Sequence, residues 1–262
     1  MPTPRLTVPF LLFTIVRCWS QVESVLAFPP VEVSGFRAIA TIGAVSAASD
    51  SEAALGEVLA AQYLSSRGVA QTPQSNRIED YLRAVAAKLA PGTTQRFTWT
   101  IHYDPHPAFK SAFALPGGQI IVGGGVLALM GSEDQLAAVL AHEMMHLDAG
   151  QVSGRVAEIG TREHLALSEL SRWRWEEFGN SYSDDQELTC DRDGMKLAAL
   201  AGYSPAGMLR IIENFIAVTK LQFGGPLTVG TAFLDRRVAR AREQLSRQGW
   251  DSLAAQRTLR LP

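Results

Sequence analysis

The spacing of apolar residues changes twice along this chain, and each change marks a different kind of element. Residues 51–67 are rich in Ala, Leu and Glu and stop at Gly68, which predicts a helix closed by a C-terminal glycine. Ile78, Leu82, Val85 and Leu89 then share one helical face, and Pro91-Gly92 ends that second amphipathic helix. The period next shortens to two. Phe97, Trp99, Ile101 and Tyr103 alternate with polar residues, the mark of a half-buried strand, which Pro105 and Pro107 close. Ser111-Ala112-Phe113-Ala114-Leu115 and Gln119-Ile120-Ile121-Val122 read as two further short strands around the tight turn Pro116-Gly117-Gly118. Gly123, Gly124 and Gly125 let the backbone turn into a short apolar helix from Val126.

From there the helical period returns and stays. Ser132 followed by Gln135 is a capping box, and the helix behind it carries Leu136, Val139, Leu140, Met144 and Leu147 before stopping at Gly150. Residues 151–179 keep a rough helical spacing through Val152, Val156, Ile159, Leu170 and Trp173, which predicts one or two covering helices. Trp173 and Trp175 are expected to be exposed there, one of them facing a membrane surface or a substrate unless both pack at a helix junction. Ser183 and Gln186 repeat the capping signal for a helix that ends at Gly202. Ser204-Pro205 opens the next, with Pro at the first helical position, and residues 236–247 form a last, basic helix. The pattern as a whole is α+β and mainly helical, with one domain over residues 51–250 and a tail at 251–262.

Composition narrows the partners. With 47% hydrophobic residues, 19% charged residues and a formal net charge of -2, the chain has no large single-sign field to recruit nucleic acid. Cys18 and Cys190 are too isolated to suggest a disulfide framework. Arg5 precedes an apolar run, and Val25-Leu26-Ala27 resembles a cleavage site, so residues 1–27 read as a signal peptide or an N-terminal anchor and 28–50 as a linker. That reading implies export to the periplasm or envelope, with membrane association through the N-terminus if the segment is kept. A second apolar stretch behind Arg37 is the alternative signal.

The chemistry sits at His142-Glu143-Met144-Met145-His146. Four residues apart on a helix, His142 and His146 project from one face and both imidazoles can reach one ion, while Glu143 points about 100° aside, where it can act as a base toward a metal-activated water. A catalytic zinc needs a third protein ligand. No histidine stands six residues after His146, so a later carboxylate is required, and the candidates are Glu158, Glu163, Glu169, Glu176, Glu177 and Glu187. Of these only Glu187 has an aspartate four residues on, Asp191, which shares its face and can orient a histidine ligand. The other reading of this stretch is a solvated acidic face, since Asp184, Asp185 and Asp193 are neighbours.

Taken in order, the segment from Ser111 to Gly118, the short helix after Gly125, the His142 to His146 pattern and Glu187 with Asp191 resemble the HtpX-like and CAAX prenyl protease-like family of zinc metallopeptidases, over roughly residues 52–242. The resemblance implies a minimal gluzincin domain with one Zn2+ per chain, held by His142, His146 and Glu187, and a small sheet whose edge strand faces the active site. It implies that Ser111, Ala112, Phe113 and Ala114 bind a polypeptide substrate as an added strand, with unfolded or damaged envelope proteins as the substrate class. It also makes Glu143, Asp191 and Arg237 the catalytic group, Arg237 as an oxyanion or domain-latching residue. Two departures stand out: Ser111 replaces the family's usual Asn, and Thr231-Ala232 stands where relatives carry His-Pro. The second leaves room for a catalytically weak, metal-binding or chaperone-like member of the same fold.

Overall fold

The computed structural model describes residues 42–172, 175–179, 182–223, 232–250 and 257–262. The first described elements are the helices α1 (Ile42–Ser66) and α2 (Pro73–Leu89), followed by the strands β1 (Thr100–Asp104), β2 (Ala112–Leu115) and β3 (Gln119–Gly123). The remaining helices are α3 (Gly124–Leu127), α4 (Glu133–Asp148), α5 (Gln151–Glu163), the short α6 (Glu176–Gly179), α7 (Asp184–Leu200), α8 (Ala206–Phe223) and α9 (Ala232–Arg247). The expected α+β, mainly helical architecture is what the chain adopts. Among the described residues no helix is long and apolar enough to cross a membrane.

Local chemistry explains where the main helices start. Thr72 and Ser75, Ser132 and Gln135, and Ser183 and Gln186 each form a reciprocal capping box, which satisfies two backbone N–H groups at the head of each of α2, α4 and α7. Pro73 adds its preset φ at the first position of α2.

The sheet order is β1-β3-β2, with β1 parallel and β2 antiparallel to β3, so β2 is an edge strand. The period of two sorts its side chains. Ile101, Ala112, Ala114, Ile120 and Val122 join the larger core around α2, α4, α7 and α8, while Phe113, Leu115 and Ile121 join a second cluster with α1 and α5. The turn between β2 and β3 needs glycine: Gly117 has φ +69° and presses against the Ala53 backbone of α1, where a Cβ would sit 2.3 Å from Ala53 Cα.

Several expectations shift. Helix α1 begins at Ile42, inside the stretch expected to be a linker. Strand β1 begins at Thr100, so Phe97 and Trp99 precede it and pack edge to face, with centroids 5.2 Å apart. Helix α8 begins at Ala206, one residue after Pro205. Trp175 lies outside regular helix, half-buried, and stacks on Phe113 at 5.3 Å, so its expected exposure is corrected; an aromatic neighbour was available. Trp173, Thr231 and the whole of residues 1–27 lie outside the described residues.

The C-terminal residues are fastened down. Arg257 N–H donates to buried Asp134 at 2.9 Å, Glu133 N–H donates to Arg257 O at 2.8 Å, and Thr258 bridges Ser132. These contacts meet the head of α4, the helix that carries His142, Glu143 and His146.

Candidate metal centre

Helices α4 and α7 cross unusually closely because Gly194 has no side chain. A Cβ there would lie 3.2 Å from His142 N and 3.3 Å from Ala141 C. That approach brings Asp191 and Glu187, one and two turns nearer the head of α7, against the histidines of α4. All five polar groups, His142, Glu143, His146, Glu187 and Asp191, are buried.

His142 Nε2 and His146 Nε2 face each other at 3.1 Å, and Glu187 lies 3.3 Å from the first and 3.7 Å from the second. The three side chains form a group with one donor atom from each within 4.8 Å of the others. Ligand bonds of about 2.0–2.2 Å in a tetrahedron put donor atoms about 3.3–3.6 Å apart, so the observed spacing suits zinc. Glu187 Oε2 is buried and makes no hydrogen bond, although Arg237 Nη1 is 3.4 Å away. The donor set therefore fits the ion: two lone pairs and a carboxylate oxygen converge on a space that a cation or a proton has to fill.

The far nitrogens explain why both Nε2 atoms point inward. His142 Nδ1 lies 3.0 Å from Asp191 Oδ1, and His146 Nδ1 lies 2.8 Å from Gln151 Oε1. An acceptor at each Nδ1 keeps the proton there and leaves the lone pair on Nε2. Tyr182 stacks on the His146 ring, with centroids 3.9 Å apart and planes 18° apart.

Charges in this buried cluster settle against one another. Burial alone would depress His142, but Asp191 and Glu187 push it up to about 10 in the cation-free protein. His146 goes the other way, down to about 4, mainly through burial. Burial would raise Asp191, yet Arg237 and His142 hold it down to about 2; Glu187 is likewise held below its usual range, chiefly by His142. Glu143 is pushed up to about 8 by burial, with Glu187 adding to the effect.

Arg237 of α9 is wholly buried. Its Nε donates to Asp191 Oδ2 at 2.6 Å, its Nη2 donates to Asp191 Oδ1, and Nη1 faces Glu187. The guanidinium thus ties α9 to the acidic face of α7.

Glu143 meets the edge strand. Gly123 N–H donates to Ser111 O, so alternation along the antiparallel pair turns the backbone groups of Phe113 and Leu115 toward β3 and those of Ala112 and Ala114 toward the outer edge, which is buried. Ala114 N–H donates to the Glu143 carboxylate. Ser111 Oγ donates to Ala112 O at 3.1 Å. The candidate metal ligands, a carboxyl group and a strand edge with no paired strand among the described residues therefore share one corner of the fold.

Sequence reasoning did not single out Gln151, Cys190 in its actual role, or Tyr182. A signal for Gln151 existed in Gly150, whose φ of +68° breaks the chain between α4 and α5 and returns the next residue to His146.

Residues 73–245 match the model of peptidase family M48. A stretch of 61 residues is 44% identical to mitochondrial metalloendopeptidase OMA1 of Schizosaccharomyces pombe, covering 22% of this chain and 17% of that protein. The family match runs from the start of α2 into the last turn of α9, with the two histidines and the carboxylate that converge here, and the chain belongs to peptidase family M48, the zinc metallopeptidases.

Proposed function

We propose that the protein is a zinc-dependent endopeptidase in which Glu143 is the general base and the outer edge of β2 takes the substrate. The observation that carries this reading is the joint placement of His142, His146 and Glu187 around one point, with Glu143 on the same helix and bonded to Ala114 at that edge. Zinc bound there would supply Lewis acidity, making a water acidic enough to lose its proton near neutral pH and drawing electrons from a peptide carbonyl.

The chain's own residues supply the rest. Glu143, as carboxylate, takes a proton from the attacking water and returns it to the leaving amine. The Ala112 N–H and the Ala114 carbonyl are the groups of this edge left for an extended peptide, so affinity comes from main-chain bonds and selectivity for side chains is loose. That favours unfolded segments. Arg237 and Asp191 hold His142 and Glu187 in place. The N-terminal pattern supports an exported protein acting on damaged envelope proteins.

Zinc content and casein cleavage of the wild type and Glu143→Gln test this directly. The expected result is about one zinc per chain in both proteins and cleavage only in the wild type, with a loss of at least about a hundredfold in the variant. Zinc retained with no cleavage by either protein would turn the assignment toward a non-catalytic metal-binding member, as the Thr231-Ala232 departure allows.

A further inference from the structure

Two imidazoles meet at the metal centre, and the groups behind them are unlike. His142 leans on a carboxylate that a buried arginine clamps. His146 leans on a neutral carboxamide, Gln151 Oε1, at 2.8 Å. The same oxygen accepts from the buried Cys190 thiol at 3.7 Å, and that sulfur is itself 3.4 Å from His146 Nδ1. With both lone pairs of Oε1 engaged, turning the amide over would set its NH2 group against the thiol and against Nδ1–H.

We propose that Gln151 is a positioning residue of the metal centre, whose side-chain oxygen, supported by the Cys190 thiol, keeps the proton of His146 on Nδ1 and so keeps its Nε2 lone pair facing His142 and Glu187. The inference rests on reading those three residues as zinc ligands and adds the group that makes one of them competent. A neutral imidazole holds its proton on either nitrogen, and only one tautomer can bind an ion through Nε2. Without an acceptor behind it, His146 loses both the tautomer and a buried hydrogen bond. Tyr182, stacked on the ring, fixes its plane but offers no acceptor in the plane to choose between nitrogens. Loss of a partner of this kind typically weakens metal binding about 10- to 100-fold.

The test uses the full chain stripped of metal, with zinc affinity measured by competition against a chromophoric chelator for wild type, Gln151→Leu and Gln151→Glu. Leucine keeps the volume and removes the acceptor; glutamate can only accept. We expect about 10- to 100-fold weaker zinc binding for Gln151→Leu and wild-type or tighter binding for Gln151→Glu, with the spectrum of the cobalt-substituted protein altered in the first alone. Cys190→Ala should show a smaller loss. In the zinc-loaded wild type, long-range proton–nitrogen correlations should place the His146 proton on Nδ1, a readout that needs no variant to fold. Gln151→Leu with wild-type affinity, Gln151→Glu as weak as Gln151→Leu, or a proton absent from Nδ1 would each overturn the proposal. A wild type that binds no zinc would instead sink the three-ligand reading beneath it.

Discussion

Among the described residues, Asp191 and Asp104 are buried aspartates that each hold an arginine and a histidine, and the first of them stands at the candidate metal centre. Asp191 faces Arg237 and His142; Asp104, at the end of β1, accepts from Tyr63 OH at 2.6 Å and Arg67 Nε at 3.1 Å and meets His106 Nδ1 at 2.5 Å. The difference lies beyond the aspartate. Arg237 is fully buried whereas Arg67 is 24% exposed, and the His142 side chain is 4% exposed against 44% for His106. The outer nitrogen of His142 points at two more ligands, while most of His106 looks toward water. An Arg-Asp-His chain is therefore a staple between α1 and the sheet in one place and a device for aiming a lone pair in the other. What the imidazole faces decides which.

Perturbing the two clusters should separate these roles. The largest effect is expected from Asp191→Ala, which leaves Arg237 buried without its carboxylate: about 3–5 kcal/mol of stability by denaturant unfolding, together with loss of zinc binding. Asp104→Ala should cost about 1–3 kcal/mol, because Arg67 can turn to water, and should leave zinc affinity within about twofold of wild type. Equal losses of zinc in both variants would erase the distinction drawn here. Zinc affinity should also climb with pH. His142 is pushed up to about 10 without a cation, so below that value zinc must displace its proton, and binding strengthens by about 1.4 kcal/mol or more per pH unit between about 5 and 8. Isothermal titration in buffers of different ionisation enthalpy would count the released proton; a flat profile would contradict the pairing of His142 with Asp191. The smallest effect is His106→Ala, within about 0.5 kcal/mol in a thermal melt and without change in zinc affinity.

The parts of this site that follow from local spacing were readable in the chain itself. His142 with His146, and Glu187 with Asp191, are each one helical turn apart, and the capping pairs at Ser132 and Ser183 announce the helices that carry them. What spacing cannot convey is which groups meet across the fold. Gln151 belongs to α5 but serves a histidine of α4; Arg237 lies 46 residues beyond the aspartate it clamps. Arg257 lies 123 residues beyond Asp134. Alternation also overreached at Phe97 and Trp99, where two aromatic rings pack on each other before any strand pairing begins, because a period of two reports burial and not ladder bonds.

A single missing methyl group gauges the bore of the ligand cage. Because Gly194 lets α7 ride directly on the backbone at His142, alanine at that position would lift the carboxylate-bearing helix by a few tenths of an ångström. The histidine pair would stay where α4 holds it, so the opening would widen on one side only and the preference should drift from zinc toward a divalent ion of larger radius, such as cadmium. Competition between zinc and cadmium for Gly194→Ala would then read how near the two helices lie.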